Sequence, residues 1–275
     1  MPGMSIDNGL YYTNCHINSQ YIEVRGSSLA VNTPGAWVVV SSGTPANVNG
    51  IGIYGMWTLT GSLRYLFDIG IGIDSEFSPI VSNVLLNTGG SINGKYNQFV
   101  IPLRIPQSMS VAMRLQRSDT TQGRMQPSVS LIHGGLSLIH GGFSTAITYG
   151  ADIVNTRGTL IDPGATIDQW GAWTTVATRT AQPIRSLLVS MSTRGNAALS
   201  SHNYNMQLGI GEAGAEVPIV NGMVGFGSSV DDLIRPCLFQ YFVQVPTGVR
   251  ISARAAASIN DAEDRVKEIT ITGFN

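Results

Sequence analysis

Lysine is almost absent from this chain: Lys95 and Lys267 are its only two in 275 residues. Arginine supplies nearly all the positive charge. That is the bias of surfaces covered by other protein, where Lys is depleted and Arg enriched. Charge of either sign is scarce, 12% of residues against about 25% in an ordinary soluble domain. The net charge is −1, so no electrostatic footprint points to nucleic acid or to an anionic membrane. Cysteine is limited to Cys15 and Cys237, which excludes a disulfide framework and suits two free thiols in a reducing setting. No apolar run approaches the roughly 18 residues of a membrane span. Met1 to Gly9 has no basic stretch followed by an apolar one, so no secretory signal is expected. Long helices are missing too. Asp231–Arg235 suits a single turn, and Asn260–Arg265 offers an N-cap with an acidic first turn.

What remains is glycine, with 32 residues, and short apolar runs punctuated by turns. Strands are expected at Trp37–Val40, Ile51–Leu59, Tyr65–Gly72, Ile80–Leu86, Phe99–Ile105, Val111–Gln116 and Val129–Ile132. Pro79 marks a strand start, since it cannot donate within a central ladder. The 111–116 stretch alternates, with Val111, Met113 and Leu115 on one face and Arg114 and Gln116 on the other.

The same order then recurs. Gly35-Ala36-Trp37 matches Gly171-Ala172-Trp173. Gly70-Ile71-Gly72 leading to Pro79-Ile80-Val81 matches Gly209-Ile210-Gly211 leading to Pro218-Ile219-Val220. Ile105-Pro106 matches Val245-Pro246, Arg114 matches Arg254, and Val129–Leu131 matches Ile269–Ile271. Blocks that keep their order at nearly constant spacing mean a duplication of whole modules, not a solenoid of short units. The chain therefore reads as all-β: two tandem antiparallel jelly-roll-like β-sandwiches, residues 31–142 and 143–275. Residues 1–30 find no sequence match in the second half. They read as an N-terminal arm to a neighbouring subunit or as edge strands of the first module.

No chemistry is advertised. Gly209-Ile-Gly211-Glu-Ala-Gly214 has the form G-x-G-x-x-G, but Pro218 follows too soon for the helix a dinucleotide site needs. Its twin has Ser75 in place of the third glycine, so the stretch reads as a strand and its turn. Leu131-Ile-His133-Gly-Gly135 recurs as Leu138-Ile-His140-Gly-Gly142. Two histidines without a third ligand do not define a metal site. His16 and His202 stand in no metal or catalytic motif. Asp74 and Glu76 suggest a carboxylate pair, but the second module aligns Ala213 and Ala215 there, and solvated loop acids explain them. Trp37, Trp57, Trp170 and Trp173 raise sugar stacking, although the equivalence of Trp37 and Trp173 favours filling the same core corner in both modules. No catalytic residue, cofactor or metal is expected.

Module two carries Val245-Pro246-Thr-Gly-Val-Arg250-Ile251-Ser-Ala253-Arg254, and module one the worn copy Ile105-Pro106-Gln-Ser-Met-Ser110-Val111-Ala-Met113-Arg114. With the preceding Gly-x-Gly strand, this resembles jelly-roll modules in structural proteins of tailed bacteriophages. The resemblance implies a non-enzymatic virion component: a capsid decoration or cement protein, a head fibre, or a collar or tail part. It also implies other virion proteins as partners and assembly as a homo-oligomer. The alternative it leaves open is a receptor- or glycan-binding adhesion protein that takes a host glycan.

Overall fold

A computed structural model gives the architecture, and describes residues 11–14, 22–27, 30–58, 63–88, 98–118, 124–134, 142–193, 202–227, 234–235, 238–259 and 267–275. The described residues contain strands and turns, with no helix. The two turns expected at Asp231–Arg235 and Asn260–Arg265 fall largely or wholly outside them.

In the first half the strands are β1 (Tyr11–Asn14), β2 (Val24–Arg25), β3 (Val38–Ser41), β4 (Gly50–Thr58), β5 (Leu63–Ile73), β6 (Glu76–Thr88), β7 (Gln98–Ile101), β8 (Ser110–Arg117) and β9 (Arg124–His133). In the second they are β10 (Ala146–Tyr149), β11 (Thr159–Ile161), β12 (Thr174–Ala177), β13 (Ile184–Thr193), β14 (His202–Ile210), β15 (Val217–Gly227), β16 (Ile234–Arg235), β17 (Leu238–Val245), β18 (Ile251–Ala257) and β19 (Lys267–Phe274). They form four antiparallel sheets. Sheet I runs β1-β9-β4-β7, with β2 also on β9, and sheet II runs β3-β8-β5-β6. Sheet III runs β10-β19-β13-β17, with β11 also on β19, and sheet IV runs β12-β18-β14-β15-β16. Sheets I and II enclose one apolar core and sheets III and IV another. The molecule is a pair of jelly-roll-like β-sandwiches built by duplication.

Alternation decides each face. On β8, Val111, Met113 and Leu115 fill the first core, and on β18 Ile251, Ala253 and Ala255 fill the second. The segment before residue 31 also has counterparts, although no sequence match reveals them. β1 and β2 pair with β9 as β10 and β11 pair with β19. Gly35 packs against the Arg25 carbonyl as Gly171 packs against that of Asp162. Asn32 and Asp168 both stand at positive φ, 55° and 56°, and their amides donate to the carbonyls of Arg117 and Ala257. Short polar side chains are the ones that tolerate that conformation. The duplication thus reaches back through the β2 region, where only backbone geometry has kept it.

The sandwiches meet face to face. The outer face of sheet II lies on the outer face of sheet III, so β19 is buried along both faces. Ile269 and Ile271 point into the second core, while Glu268, Thr270, Thr272 and Phe274 occupy the other face of the strand. Phe274 and Leu188 join the first module's core cluster. Thr270 Oγ1 accepts the Leu85 amide at 3.2 Å, and Arg64 Nη1 donates to Glu268 Oε1 at 2.6 Å. A loop, residues 150–158, plugs the same seam. Its buried Thr156 donates to Asn32 Oδ1 at 2.7 Å and accepts from Gln116 Nε2 at 2.8 Å.

Candidate functional site: repeated clusters and docking faces

Each glycine of the Gly-Ile-Gly repeat is the floor beneath a tryptophan. A Cβ on Gly70 would stand 2.8 Å from Trp37 Cη2, and one on Gly209 would stand 2.9 Å from Trp173 Cη2. Above each indole lies the motif's second arginine: Arg114 is 4.5 Å from the Trp37 ring centroid and Arg254 is 4.5 Å from that of Trp173. These are cation–π distances. Each guanidinium is held from the side by the residue two before the glycine. Arg114 Nε donates to Asp68 Oδ2 at 2.7 Å, and Arg254 Nε donates to Gln207 Oε1 at 2.8 Å. Asp68 Oδ1 also accepts the Asn83 amide at 2.7 Å. The two tryptophans therefore lie on the outer faces of sheets II and IV. They do not fill a core corner, because the strand that carries the arginine turns its apolar residues inward and leaves Arg and Trp outside. In module two a further ring, Trp170, is 36% exposed, and Arg254 lies 5.1 Å from its centroid. The side chain of Trp57 lies outside the described residues.

The motif's first arginine clamps a loop. Both copies place eight residues between the first glycine and the proline, and both pair that glycine with that proline. Module one continues the ladder to Ile73↔Glu76 and turns through Asp74 and Ser75, both at positive φ. Module two leaves the ladder at Ile210↔Val217 and makes a wider loop. Arg250 holds that loop: Nη1 donates to Glu216 Oε1 at 2.7 Å and to the Gly211 carbonyl at 3.3 Å, and Nε donates to Thr175 Oγ1 at 2.9 Å. The Arg250 hydrogen bond holds the Glu216 carboxyl below its ordinary value of 4.5. The tight turn of module one has no such loop to clamp. Ser110 stands in the arginine's place and donates to the Ser42 carbonyl at 3.0 Å.

A second repeated lock was missed by motif reading. Thr44 Oγ1 donates to the Pro106 carbonyl at 2.7 Å, and Thr180 Oγ1 donates to that of Pro246 at 2.7 Å. The same oxygens accept the Met109 and Val249 amides at 3.2 and 3.1 Å. The turn each one braces contains a positive-φ residue, Ser108 in one copy and Gly248 in the other. The signal in sequence was the equivalence of Thr44 and Thr180, invisible without the turn they hold.

Among the described residues, none of those weighed for catalysis or metal are brought together. His133 is buried at the end of β9, with Nδ1 3.1 Å from the Asn47 carbonyl. His140, His16, Cys15 and Cys237 lie outside the described residues, as does the side chain of His202. Asp74 and Glu76 are exposed at their hairpin. Among the described residues no cluster of three or more His, Cys, Asp or Glu is placed to hold a metal.

Among the described residues, the outer face of sheet IV is open along β15. It is the counterpart of the sheet II face that docks on sheet III. In sheet II, Leu85 pairs with Leu66 and is 1% exposed, covered by module two. In sheet IV the equivalent pair is Val224 and Asn205, and Val224 is 57% exposed. Val217 on the same strand is exposed as well.

No family model and no curated protein matches the chain. Solved structures show weak likeness. The PNGF-II structure gives a TM-score of 0.44 at 7% identity, over 96% of this chain and 65% of that one. The STIV MCP crystal structure gives 0.34 at 9% identity, over 97% and 96%. The N-terminal CBM22-1–CBM22-2 tandem domain of Paenibacillus barcinonensis Xyn10C gives 0.24 at 11% identity, over 96% and 90%. The chain thus spans about two thirds of the length of PNGF-II. No ligand or partner follows for this chain from likeness at that level.

Proposed function

We propose that this chain is a non-enzymatic structural component of a bacteriophage virion, a shell decoration, head fibre, or collar or tail part. It binds other virion subunits through its β faces and its N-terminal segment, and assembles as a homo-oligomer. The observation that carries this is the contrast between Leu85 and Val224. The outer face of sheet II is covered by another sandwich, and in module two the equivalent position on β15, Val224, is left exposed. The resemblance of the Val245–Arg254 motif to phage jelly-roll modules suggests the setting, and the scarcity of Lys fits a surface destined for protein contacts. The test is incorporation. A Val224→Asp chain that folds normally is expected to be lost from purified virions, whereas wild-type retention with Val224→Asp would sink the docking role.

A second reading rests on Trp170, Arg254 and Trp173, an aromatic cluster on the same open face. Aromatic faces stack on sugar rings, so this face is also a platform for a host glycan in an adhesion protein. A glycan array with the purified chain separates the readings: saturable binding lost in Trp170→Ala favours adhesion, and no binding removes it.

A further inference from the structure

The seam between the sandwiches opens at one end into a groove of about 1110 Å³. Module one and the connection to module two supply Arg104 and residues 142–144; module two supplies the start of β13, Phe242 to Pro246, and Asn275. Three features of this groove point to the same kind of occupant.

The first is an open strand. Among the described residues β17 pairs on one side only, with β13, and it is the edge of sheet III. Edge strands are ordinarily protected by charge, by proline or by being short. Leu238–Val245 has eight residues and none of Asp, Glu, Lys, Arg or Pro; the first proline is Pro246, just past its end. The opposing edge strand of module one, β7, has four residues and is followed at once by Pro102. So β17 is left as a template for strand addition, and its last residues line the groove consecutively.

The second is unbalanced charge. Arg104 and Arg185 both line the groove and both are exposed. Among the described residues no Asp or Glu side chain lines it, and neither guanidinium has a carboxylate partner. Arg185 sits on β13 at the irregularity between Ile184 and Ser186, where the register with β17 shifts. In a chain with 16 basic residues, two unpaired arginines facing one groove are a sizeable share. The third is an apolar anchor: Phe242 is 59% exposed on the groove wall, and aromatic anchors are typical of binding hot spots.

We propose that this groove docks an extended acidic peptide segment. The segment adds to β17 as a further strand of sheet III, its carboxylates on Arg104 and Arg185 and an apolar side chain against Phe242. Strand addition gives affinity through the backbone, and alternate side chains give specificity; arginine forks match carboxylates in geometry and charge. This assigns a site and a ligand class, and it stands whether or not the chain is a virion part.

The test is fluorescence anisotropy on the whole chain with labelled octapeptides. An alternating Thr-Glu peptide is expected to bind saturably, and its Thr-Lys counterpart is not. N-methylation of alternate amides, which leaves charge intact but blocks the ladder, is expected to weaken binding about tenfold or more. Arg104→Gln with Arg185→Gln is expected to weaken it by a similar factor, with an unchanged thermal melt. Should that double variant fold poorly, raising the salt on the wild-type chain probes the same charges. Absence of saturable Thr-Glu binding, equal binding of Thr-Lys, or indifference to N-methylation would each overturn the proposal. Equal binding of an acidic oligosaccharide, with the N-methylated peptide undiminished, would replace it with a simple anion site.

Discussion

Replacing Arg64 by alanine tests the weld between the two sandwiches. Glu268 is fully buried in the seam and Arg64 is about a quarter exposed, with 2.6 Å between Nη1 and Oε1. The gross attraction at that distance is on the order of 6 kcal/mol for an effective dielectric near 20, and the cost of desolvating the carboxylate offsets much of it. Burial pushes the Glu268 carboxyl above its ordinary 4.5, with the Arg64 charge pulling the other way. Removing one partner of a buried pair costs about 3–5 kcal/mol; with Arg64 partly solvated, about 3 kcal/mol is expected. A raised carboxyl pKa means that the folded chain holds the proton more tightly than the unfolded chain does. The group's contribution to stability is therefore fullest below the ordinary value and is lost as pH rises through the folded-state value. Arg64→Ala raises that value further. Urea denaturation should thus show a small deficit near pH 4 and about 3 kcal/mol near pH 8. The double variant Arg64→Ala, Glu268→Gln should recover most of the loss at the higher pH. A deficit that is the same at both pH values, or a double variant as unstable as the single one, would mean that the Arg64–Glu268 pair does not weld the seam.

Other expectations are direct. Gly70→Ala and Gly209→Ala each drive a methyl into the indole above, and should cost about 1–3 kcal/mol in denaturant midpoints while shifting tryptophan emission. Thr44→Val and Thr180→Val keep the shape but strip the turn-bracing hydroxyl, and should each cost about 1–3 kcal/mol in thermal melts. Because the clusters are equivalent, effects within one module should resemble those in the other; a large asymmetry would contradict the equivalence. Arg250→Ala should loosen residues 211–216, seen as faster amide exchange at Gly214, whose amide donates to Glu216 Oε2 at 3.0 Å. Ser110→Ala should leave the module-one hairpin unaffected.

The duplication was legible because its most constrained residues are also its most recognisable. Glycine under tryptophan leaves no room for another residue, so Gly70 with Trp37 and Gly209 with Trp173 survive as identities. The equivalence of the two modules' first strands was not legible. β2 and β11 share a sheet position and a close approach to Gly35 and Gly171, but only backbone atoms make that contact, and backbone constrains sequence weakly. The face that the tryptophans occupy was not legible for a related reason. Repetition shows that a residue is needed, not which side of a sheet it occupies, and the side follows from the period-2 pattern of Arg114 and Arg254. The seam was hidden because its residues are small and polar. Ser186, Ser190, Thr270 and Thr272 are of types common on solvent-facing strand positions, yet all are buried because a second sandwich covers them. The groove was hidden because Arg104 and Arg185 come from different modules and meet only through the docking.

The virion role we propose makes the chain a fixed part of an assembled particle. The most direct measurement is its copy number in purified virions by quantitative mass spectrometry with labelled standards. A constant number per particle, set by the symmetry of the site it occupies, is the result expected. Its absence from virions, or an amount that varies between preparations and washes away with salt, would rule out a fixed structural role.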